Sequence, residues 1–296
     1  MNWITREKLD EEKWNQLRLQ TEGVSIFSRL EYLDCVAQNC LFLIHDDYLG
    51  GMAFPYFERM GVKTLYTPVF CRYVEWLGEH LVNYNDLNYR AKSVFKEADI
   101  YTRTQCMGEV SEPLIYQELN KVKLNTQAKR KIKKAFESPG WELRWDVPLE
   151  DALERIEITL RGKFVTLKSD DFFTLRNLCK RLYEHNLLNI IGIYENDQLQ
   201  AALILMIENG KTVYLKGAAS QEVKLKGGMY LMMQEAIEKA IERGDTFDFG
   251  GSRIDGVRKF NLSFGGEDYR YYRYSWSNAP LYYRLIKNLR NRWRKK

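Results

Sequence analysis

Apolar runs separated by short polar turns are most evident in residues 189–215. Two apolar runs, 189–194 and 199–208, are separated by residues 195–197, where Asn and Asp favour a turn. Asn209 and Gly210 form a strong hairpin signal because both residues accept positive φ. A β-branched and aromatic run follows at 212–215. The pattern predicts three consecutive strands joined by tight turns.

The hydrophobic period changes after this third strand. From Met229 to Ile241 the apolar residues recur on one helical face, and Gly244 is a natural residue to end that helix. Residues 247–249 then alternate as a strand does. The third strand therefore delivers the chain to a helix N-terminus, whose free backbone N–H groups can hold a phosphate or pyrophosphate. We predict this site in the loop 216–228.

A similar plan occurs earlier in the chain. Residues 49–66 carry an apolar strand and end in Lys-Thr-Leu-Tyr, as residues 199–214 end in Lys-Thr-Val-Tyr, and an Asp-containing turn precedes each copy. The spacing is close to half the chain, which indicates duplication of a domain. Chance convergence of two β-hairpins is the alternative.

Composition agrees with two compact domains. The chain has 296 residues, of which 45% are hydrophobic, and no apolar run approaches the ~18 residues of a membrane span. The N-terminus lacks a signal-peptide pattern. Five scattered cysteines without a CxxC pair suit a reducing cytoplasm and give no metal site. We expect a cytoplasmic protein.

The C-terminal segment 281–296 is basic and amphipathic. It contains seven Lys and Arg residues and no acid, and without them the formal net charge of the chain would fall from +5 to −2. Its apolar residues recur at helical spacing. Such a helix either lies on an anionic membrane surface, which would make the protein peripheral to the inner membrane, or packs its apolar stripe on the domain.

A second basic run covers residues 121–134. It predicts a helix from about Thr126, ended by the Ser-Pro-Gly break at 138–140. The run is either a solvated face or a surface that meets the phosphates of RNA or of a phosphorylated substrate.

The common catalytic motifs are absent from the sequence. The three histidines show no HExxH spacing, and there is no GxSxG, Walker or GxGxxG motif. Metalloprotease, serine-hydrolase and dinucleotide-binding functions are therefore disfavoured.

The segment 217–266 resembles the C-terminal half of the FemAB-like branch of the GNAT acyltransferase superfamily. The matching residues are Lys-Gly-Ala-Ala at 216–219, the glycine pair at 227–228, Phe-Asp-Phe-Gly-Gly-Ser at 247–252, Gly-Val-Arg-Lys-Phe at 256–260 and Ser-Phe-Gly-Gly at 263–266. The basic stretch 129–135 and the tandem repeat are also similar to that group. The resemblance implies an α/β (α+β) protein with two tandem GNAT-like domains, each a mixed, mostly antiparallel central sheet flanked by helices.

The resemblance further implies a division into three parts. Residues 1–139 would form a degenerate N-terminal domain that shapes the acceptor groove, 140–280 a C-terminal domain with the carrier site, and 281–296 the basic amphipathic tail. The implied activity is transfer of an acyl or aminoacyl group to an amine-bearing acceptor. The donor would be an acyl-CoA-type thioester or an aminoacyl-tRNA, with no metal.

Two positions depart from the family pattern. The GNAT pyrophosphate loop usually reads Arg/Gln-x-x-Gly-x-Gly/Ala, whereas this chain has Lys at 224 and Met at 229. Relatives often have Phe-Lys where this chain has Phe260 and Asn261, with Lys259 adjacent. The first departure argues against CoA binding in the usual manner. The second indicates that the phosphate contact made by this lysine in relatives is missing.

The candidate carrier-binding residues are those of the strand end and the glycine turn: Lys216, Gly217, Lys224, Lys226, Gly227 and Gly228. We expect Lys224→Ala or Gly228→Pro to weaken carrier binding while the fold survives. Backbone N–H groups of the strand around 212–217 would face the developing oxyanion.

Three side chains are candidates for catalysis. Asp248 would be the base or the amine-positioning carboxylate, and the alternative is a structural Asp that hydrogen-bonds the backbone near Gly250. Tyr214 would protonate the leaving group, unless it is a core residue. Lys259 would receive an anionic group. A second hypothesis is a binding protein on a GNAT scaffold that contacts membrane or RNA without turnover.

Overall fold

The computed structural model describes residues 1–79, 83–161, 168–251 and 254–293. The chain divides into two compact units. The first contains Met1–Leu114 and Arg270–Lys296, and the second contains Ile115–Tyr269.

The strands and helices of the described residues are defined as follows. The strands are β1 (Asn2–Thr5), β2 (Asn39–His45), β3 (Gly50–Arg59), β4 (Val62–Tyr66), β5 (Trp76–Leu77), β6 (Glu97–Thr102), β7 (Glu112–Leu119), β8 (Trp141–Arg144), β9 (Leu188–Glu195), β10 (Gln198–Glu208), β11 (Lys211–Ala219), β12 (Thr246–Asp248) and β13 (Glu267–Ser277). The helices are α1 (Glu11–Gln20), α2 (Leu30–Val36), α3 (Tyr84–Val94), α4 (Thr126–Phe136), α5 (Leu149–Arg161), α6 (Ser169–Glu184), α7 (Gln221–Lys226), α8 (Gly228–Glu242), α9 (Asp255–Leu262) and α10 (Leu281–Trp293).

The sheet of the second unit has the order β7-β12-β11-β10-β9-β8. Its pairs are antiparallel except β11 with β12, which are parallel and joined through α8. The predicted turns are confirmed, since Asn196 and Asp197 have φ of 51° and 59°, and Asn209 and Gly210 have φ of 48° and 70°.

Helices cover both faces of this sheet. On one face, α8 packs Met232, Met233, Ala236, Ile237 and Ala240 onto Leu203 and Leu205 of β10, among other strand residues. On the other face, α5 packs against β10 and β11. Ile204, which lies between Leu203 and Leu205 on β10, therefore points toward α5.

The first unit follows the same plan. Its sheet has the order β1-β2-β3-β4-β6-β13, with β5 paired to β3. The hairpin β3–β4 corresponds to β10–β11, and β4 pairs in parallel with β6 after the connection through α3, as β11 pairs with β12 after α8. The predicted mixed and mostly antiparallel sheets, flanked by helices, are therefore present in both units.

The compact units divide at 114/115 and 269/270, and the predicted domain bounds at 139/140 and 280/281 stay a prediction. The bounds of the units follow from an exchange of strands between the two halves of the sequence. The β7 residues Glu118 and Leu119 pair with β12, whereas residues 272–277 of β13 pair with β6. The basic helix α4 packs on α8 and so also belongs to the second unit.

Helix α10 does not bury its apolar stripe on the first unit. Tyr283 is buried there against Val62 and Ala279, but five other apolar side chains of the helix are exposed: Leu281, Tyr282, Leu285, Ile286 and Leu289. Of the two alternatives for this segment, packing of the apolar stripe on the domain is therefore wrong. No helix of the described residues is long and apolar enough to cross a membrane.

Candidate active site

The parallel pair β11–β12 separates after three residue pairs. Lys211, Thr212 and Val213 lie opposite residues 246–248, and in the described part of the chain no strand pairs with β11 on this side beyond Val213. Strand β11 nevertheless continues to Ala219 against β10. The divergence opens a wedge beside β11 in which backbone groups remain available to a ligand.

A β-bulge lies at the mouth of the wedge. Tyr214 pairs with Leu205 and Lys216 pairs with Ile204, so Leu215 is an extra residue on β11. Bulges redirect side chains and interrupt the ladder, and they are frequent beside active sites. Because of this extra residue, Tyr214 and Lys216 lie on opposite faces of the sheet, although residues two apart in a regular strand share one face.

Tyr214 lies on the α8 face of the wedge. Its ring packs against the core beneath α8, and a Cβ placed on Gly217 would lie 2.9 Å from its hydroxyl oxygen. Burial raises the pKa of Tyr214 to about 12, so the hydroxyl keeps its proton at neutral pH. Among the described residues, none forms a hydrogen bond with this hydroxyl. Tyr214 is thus a potential donor whose hydroxyl lies beside Gly217, on the part of β11 that has separated from β12.

Asp248 is buried at the end of β12, with 2% of its surface exposed. Its Oδ1 accepts a hydrogen bond from the backbone N–H of Gly250 at 2.9 Å. Gly250 and Gly251 have φ of 83° and 72°, and a Cβ on Gly250 would lie 2.5 Å from the carbonyl oxygen of Tyr214. Asp248 therefore holds the glycine turn against β11, as the structural alternative for this residue predicted. Its role as a base stays a prediction.

The predicted phosphate loop is partly helical. After Ala219 the chain forms α7, which the sequence did not indicate, and Ser220 caps this helix by accepting the Val223 N–H. Gly227 ends α7 with φ of 90° and begins α8, where its carbonyl accepts the N–H groups of Tyr230 and Leu231. The amides of Gly228 and Met229 have no acceptor among the described residues. These two N–H groups fit an anionic group, although fewer are available than an open loop would offer.

Packing, rather than a ligand, requires the glycine pair. A Cβ on Gly227 would lie 2.5 Å from the carbonyl oxygen of Lys131 in α4. A Cβ on Gly228 would overlap Val223 and lie 2.9 Å from Ile193 Cδ1. The close packing around Gly228 leaves no room for a side chain, and the expectation that the fold survives Gly228→Pro stays a prediction.

The structure brings α4 beside this turn, a proximity that the sequence did not predict. Lys134 Nζ lies 3.5 Å from the carbonyl oxygen of Leu225. On α7, Lys226 forms an ion pair with Glu222 at 2.6 Å, and Lys224 is half-buried and also has a partner. Basic side chains of two helices therefore surround the start of α8.

Lys216 lies on the opposite face of the sheet from these residues. It pairs with Ile204, whose neighbours Leu203 and Leu205 face α8, so Lys216 and Ile204 point toward α5. Burial lowers the pKa of Lys216, and no described residue forms an ion pair or hydrogen bond with its ammonium group. The six predicted carrier-binding residues therefore do not form one cluster.

Lys259 and Asn261 lie in different environments on α9. Lys259 is exposed, whereas Asn261 is buried and donates a hydrogen bond from Nδ2 to Gln117 Oε1 at 2.9 Å. Gln117 donates in turn to Asp268 Oδ1 at 2.7 Å, and the Arg258 guanidinium holds the pKa of Asp268 below its usual value. The neutral amide of Asn261, held by this hydrogen-bonded chain, thus occupies the position where relatives often carry lysine.

Two further features lie outside the predicted residues. A cleft of about 570 Å³ is lined by residues of β7 and of the segments around it, including Glu118, Lys121 and Tyr269, and it contains none of the predicted site residues. The described residues contain no cluster of His, Cys, Asp or Glu that could hold a metal ion.

Comparison with known proteins agrees with this geometry. The family model described as an acetyltransferase (GNAT) domain matches residues 123–271, just over half of the chain. No curated protein matches the sequence.

Solved structures share the architecture at low sequence identity. FemX is 12% identical with a TM-score of 0.66, and the match covers 97% of this chain and 100% of FemX. The C-terminal domain of a putative lysylphosphatidylglycerol synthetase from Agrobacterium fabrum is 11% identical with a TM-score of 0.58, covering 92% of each chain. A tandem GNAT protein from the clavulanic acid biosynthesis pathway is 10% identical with a TM-score of 0.54, covering 94% of this chain and 99% of the other. This chain belongs to the GNAT acetyltransferase domain family and has a FemAB-like fold.

Proposed function

We propose that the protein is an N-acyl or aminoacyl transferase that moves an acyl group from a phosphorylated carrier to an amine. Membership of the GNAT family indicates acyl transfer in general. The observation that supports a working site is the wedge where β11 separates from β12, with its bulge at Leu215 and the hydroxyl of Tyr214.

The wedge suits the chemistry of acyl transfer. An acyl carbonyl lying along β11 meets backbone groups that no strand of the described residues pairs with, and backbone N–H groups can stabilise the oxyanion that forms when the amine attacks. Tyr214 remains protonated at neutral pH and can donate its proton to the departing oxygen or sulfur of the carrier. Few further groups are needed, because positioning an amine beside a reactive ester or thioester supplies much of the rate.

The carrier would bind on the α8 face. The amides of Gly228 and Met229 offer two donors to a phosphate, and Lys134 and Lys224 add positive charge nearby. The exposed basic side chains of α4 continue from this point: Lys129, Arg130 and Lys133. A positive surface that extends beyond one phosphate favours a polyanionic carrier such as aminoacyl-tRNA over a single CoA pyrophosphate.

Lys216 would serve the acceptor rather than the carrier. It projects toward α5, away from Gly228, and its lowered pKa increases the fraction of neutral amine that can accept a proton. Asp248 would hold the Gly250 turn in place beside β11. Its burial limits the access of the substrate amine, which a role as base requires. For Lys259 the exposed position suits contact with an anionic group of substrate.

The first unit would have lost the carrier site. Its corresponding helix, α3, begins at Asn83, whose side chain accepts the N–H groups of Asn85 and Asp86. These amides are therefore already satisfied, and Asp86 adds negative charge where a phosphate would bind. The acceptor-shaping role of the N-terminal half stays a prediction.

Carrier binding can be measured with the wild type and two charge variants. Bacterial aminoacyl-tRNA, deacylated tRNA, acetyl-CoA and a long-chain acyl-CoA are titrated against the full chain. Lys134→Gln removes a charge beside α7, and Lys8→Gln removes an exposed charge in the first unit as the matched control. We expect weaker carrier binding in Lys134→Gln only.

The four carriers separate the possible donors. Tighter binding of aminoacyl-tRNA than of deacylated tRNA would support aminoacyl-tRNA as the donor, and binding of either CoA ester would support an acyl-CoA donor. Equal binding by Lys134→Gln and the wild type would show that the basic side chains of α4 beside α7 do not bind the carrier. Binding of RNA without transfer to any amine would instead favour a binding protein on a GNAT scaffold.

A further inference from the structure

We propose that α10 is an in-plane anchor by which the protein binds the surface of an anionic lipid bilayer. This inference does not depend on the proposed enzymatic function. It starts from the five exposed apolar side chains of α10.

These side chains form one continuous stripe. Residues 281, 282, 285, 286 and 289 fall within an arc of about 140° at ~100° per residue. Leu285 has 63% of its surface exposed and Leu281 has 73%, values that are uncommon for large apolar residues that lie side by side. An apolar stripe along one side of a helix is the form that lies flat in the interface of a bilayer.

The stripe points away from the first unit. Tyr283 and Lys287 hold the opposite side of the helix, since Tyr283 is buried and its hydroxyl lies 3.3 Å from Thr64 Oγ1. Lys287 forms an ion pair with the buried carboxylate of Glu97. The centre of the apolar arc lies about 150° around the helix from these two residues. The contacts therefore fix the rotation of α10 with its apolar side outward.

A second element extends the same surface. The hydroxyl of Tyr282 donates to the carbonyl oxygen of Met60 at 3.3 Å, in the turn between β3 and β4. Met60 is itself exposed, Arg59 directly precedes it, and Lys63 follows it three residues later. The exposed apolar surface is thus bordered by basic residues on the turn as well as on the helix.

Charge complementarity identifies the occupant as an anionic bilayer. Residues 281–296 contain seven Lys and Arg residues, and no Asp or Glu follows Asp268 in the chain. Each basic residue near an anionic leaflet contributes to binding, and the contribution is screened by salt. A second copy of α10 would present the same positive charge and would be repelled, so a bilayer fits this surface better than self-association.

Sedimentation with lipid vesicles tests the proposal on the full chain. The wild type is mixed with vesicles of phosphatidylcholine and phosphatidylglycerol at 70:30, and with vesicles of phosphatidylcholine alone. We expect binding to the mixed vesicles, weakened by 0.5 M salt. Leu285→Gln should reduce the partition coefficient roughly tenfold, because one largely exposed leucine no longer enters the apolar layer.

The matched control is Leu19→Gln on α1, where Leu19 is 66% exposed, close to the value for Leu285. This variant should bind as the wild type does, and Arg284→Gln should weaken binding only to the anionic vesicles. Both leucines lie on the surface, so circular dichroism should show folded proteins. Equal binding by Leu285→Gln and the wild type would overturn the proposal. A wild type that binds neither kind of vesicle would also overturn it. In that case, a dimer that is seen by light scattering and dissociated by Leu285→Gln would identify α10 as a self-association surface.

Discussion

Gly228 and Gly256 allow one substitution to be compared in two environments. Both glycines lie in the first turn of a helix, α8 or α9, and neither has positive φ. A Cβ on Gly256 would meet no atom within 4 Å, whereas a Cβ on Gly228 would overlap Val223 and lie 3.1 Å from Trp141. Replacement by alanine therefore isolates the effect of packing.

The two effects have opposite signs. Gly256→Ala lowers the conformational freedom of the unfolded chain and should stabilise the protein by about 0.5 kcal/mol. Gly228→Ala has the same gain, but the new methyl group has no room. Val223 is 1% exposed and β-branched, so it cannot rotate aside at low cost. Overpacking typically costs about 1–3 kcal/mol. We expect a net loss of roughly 2 kcal/mol for Gly228→Ala.

Differential scanning calorimetry measures both variants against the wild type. For a domain of this size about 1 kcal/mol corresponds to roughly 2–4 °C in Tm, so Gly228→Ala should unfold roughly 4–8 °C lower in the transition of the second unit. Gly256→Ala should unfold at the wild-type Tm or slightly above it. A Gly228→Ala protein as stable as the wild type would refute the packing explanation and restore a ligand-based reason for the glycine.

Three further predictions concern the second unit. Lys211→Met removes the partner 3.0 Å from the carboxylate of Glu118, which is 6% exposed, and should cost about 3 kcal/mol in urea unfolding; an unchanged urea midpoint would show that the pair is not needed. Burial lowers the folded-state pKa of Lys216 below its unfolded value, so wild-type stability should rise with pH through that folded pKa toward ~10.4. Lys216→Met should lose this rise and have a higher Tm at pH 7, and Tm curves that remain parallel would contradict the assignment. Tyr214→Phe should leave Tm nearly unchanged while turnover falls roughly 100-fold or more, and full activity in this variant would exclude Tyr214 as the proton donor.

The local elements of the second unit were readable from the sequence because local chemistry determines them. The pairs Asn196–Asp197 and Asn209–Gly210 adopt positive φ, as their residue types require for two-residue turns. The helical period from Met229 predicted α8 and its buried face. In contrast, α7 has only six residues, too few to establish a helical period, although Ser220 carried a capping signal.

The faces of the candidate site could not be derived in the same way. Tyr214 and Lys216 are two residues apart and would share one face of a regular strand. The bulge at Leu215 places them on opposite faces, and it depends on pairing with β10 rather than on a local signal. The sequence alone therefore could not show that Lys216 lies on the opposite face of the sheet from Tyr214.

Long-range pairing explains the remaining differences. Strand exchange sets the boundaries of the compact units, because residues 118–119 and 272–277 find partners in the other half of the sequence. The hydrogen-bonded chain from Asn261 through Gln117 joins residues 144 positions apart. No periodicity within a segment reports such contacts.

Transfer of an acyl group to a surrogate amine tests the central claim most directly. Hydroxylamine can replace the unidentified acceptor, so the rate of hydroxamate formation is measured with acyl-CoA and with aminoacyl-tRNA as donors. The uncatalysed rate without protein is subtracted. The account predicts protein-dependent hydroxamate formation with one of these donors, and its loss in Tyr214→Phe at unchanged Tm. A rate equal to the uncatalysed rate with every donor that binds would contradict the assignment of this chain as an acyl or aminoacyl transferase.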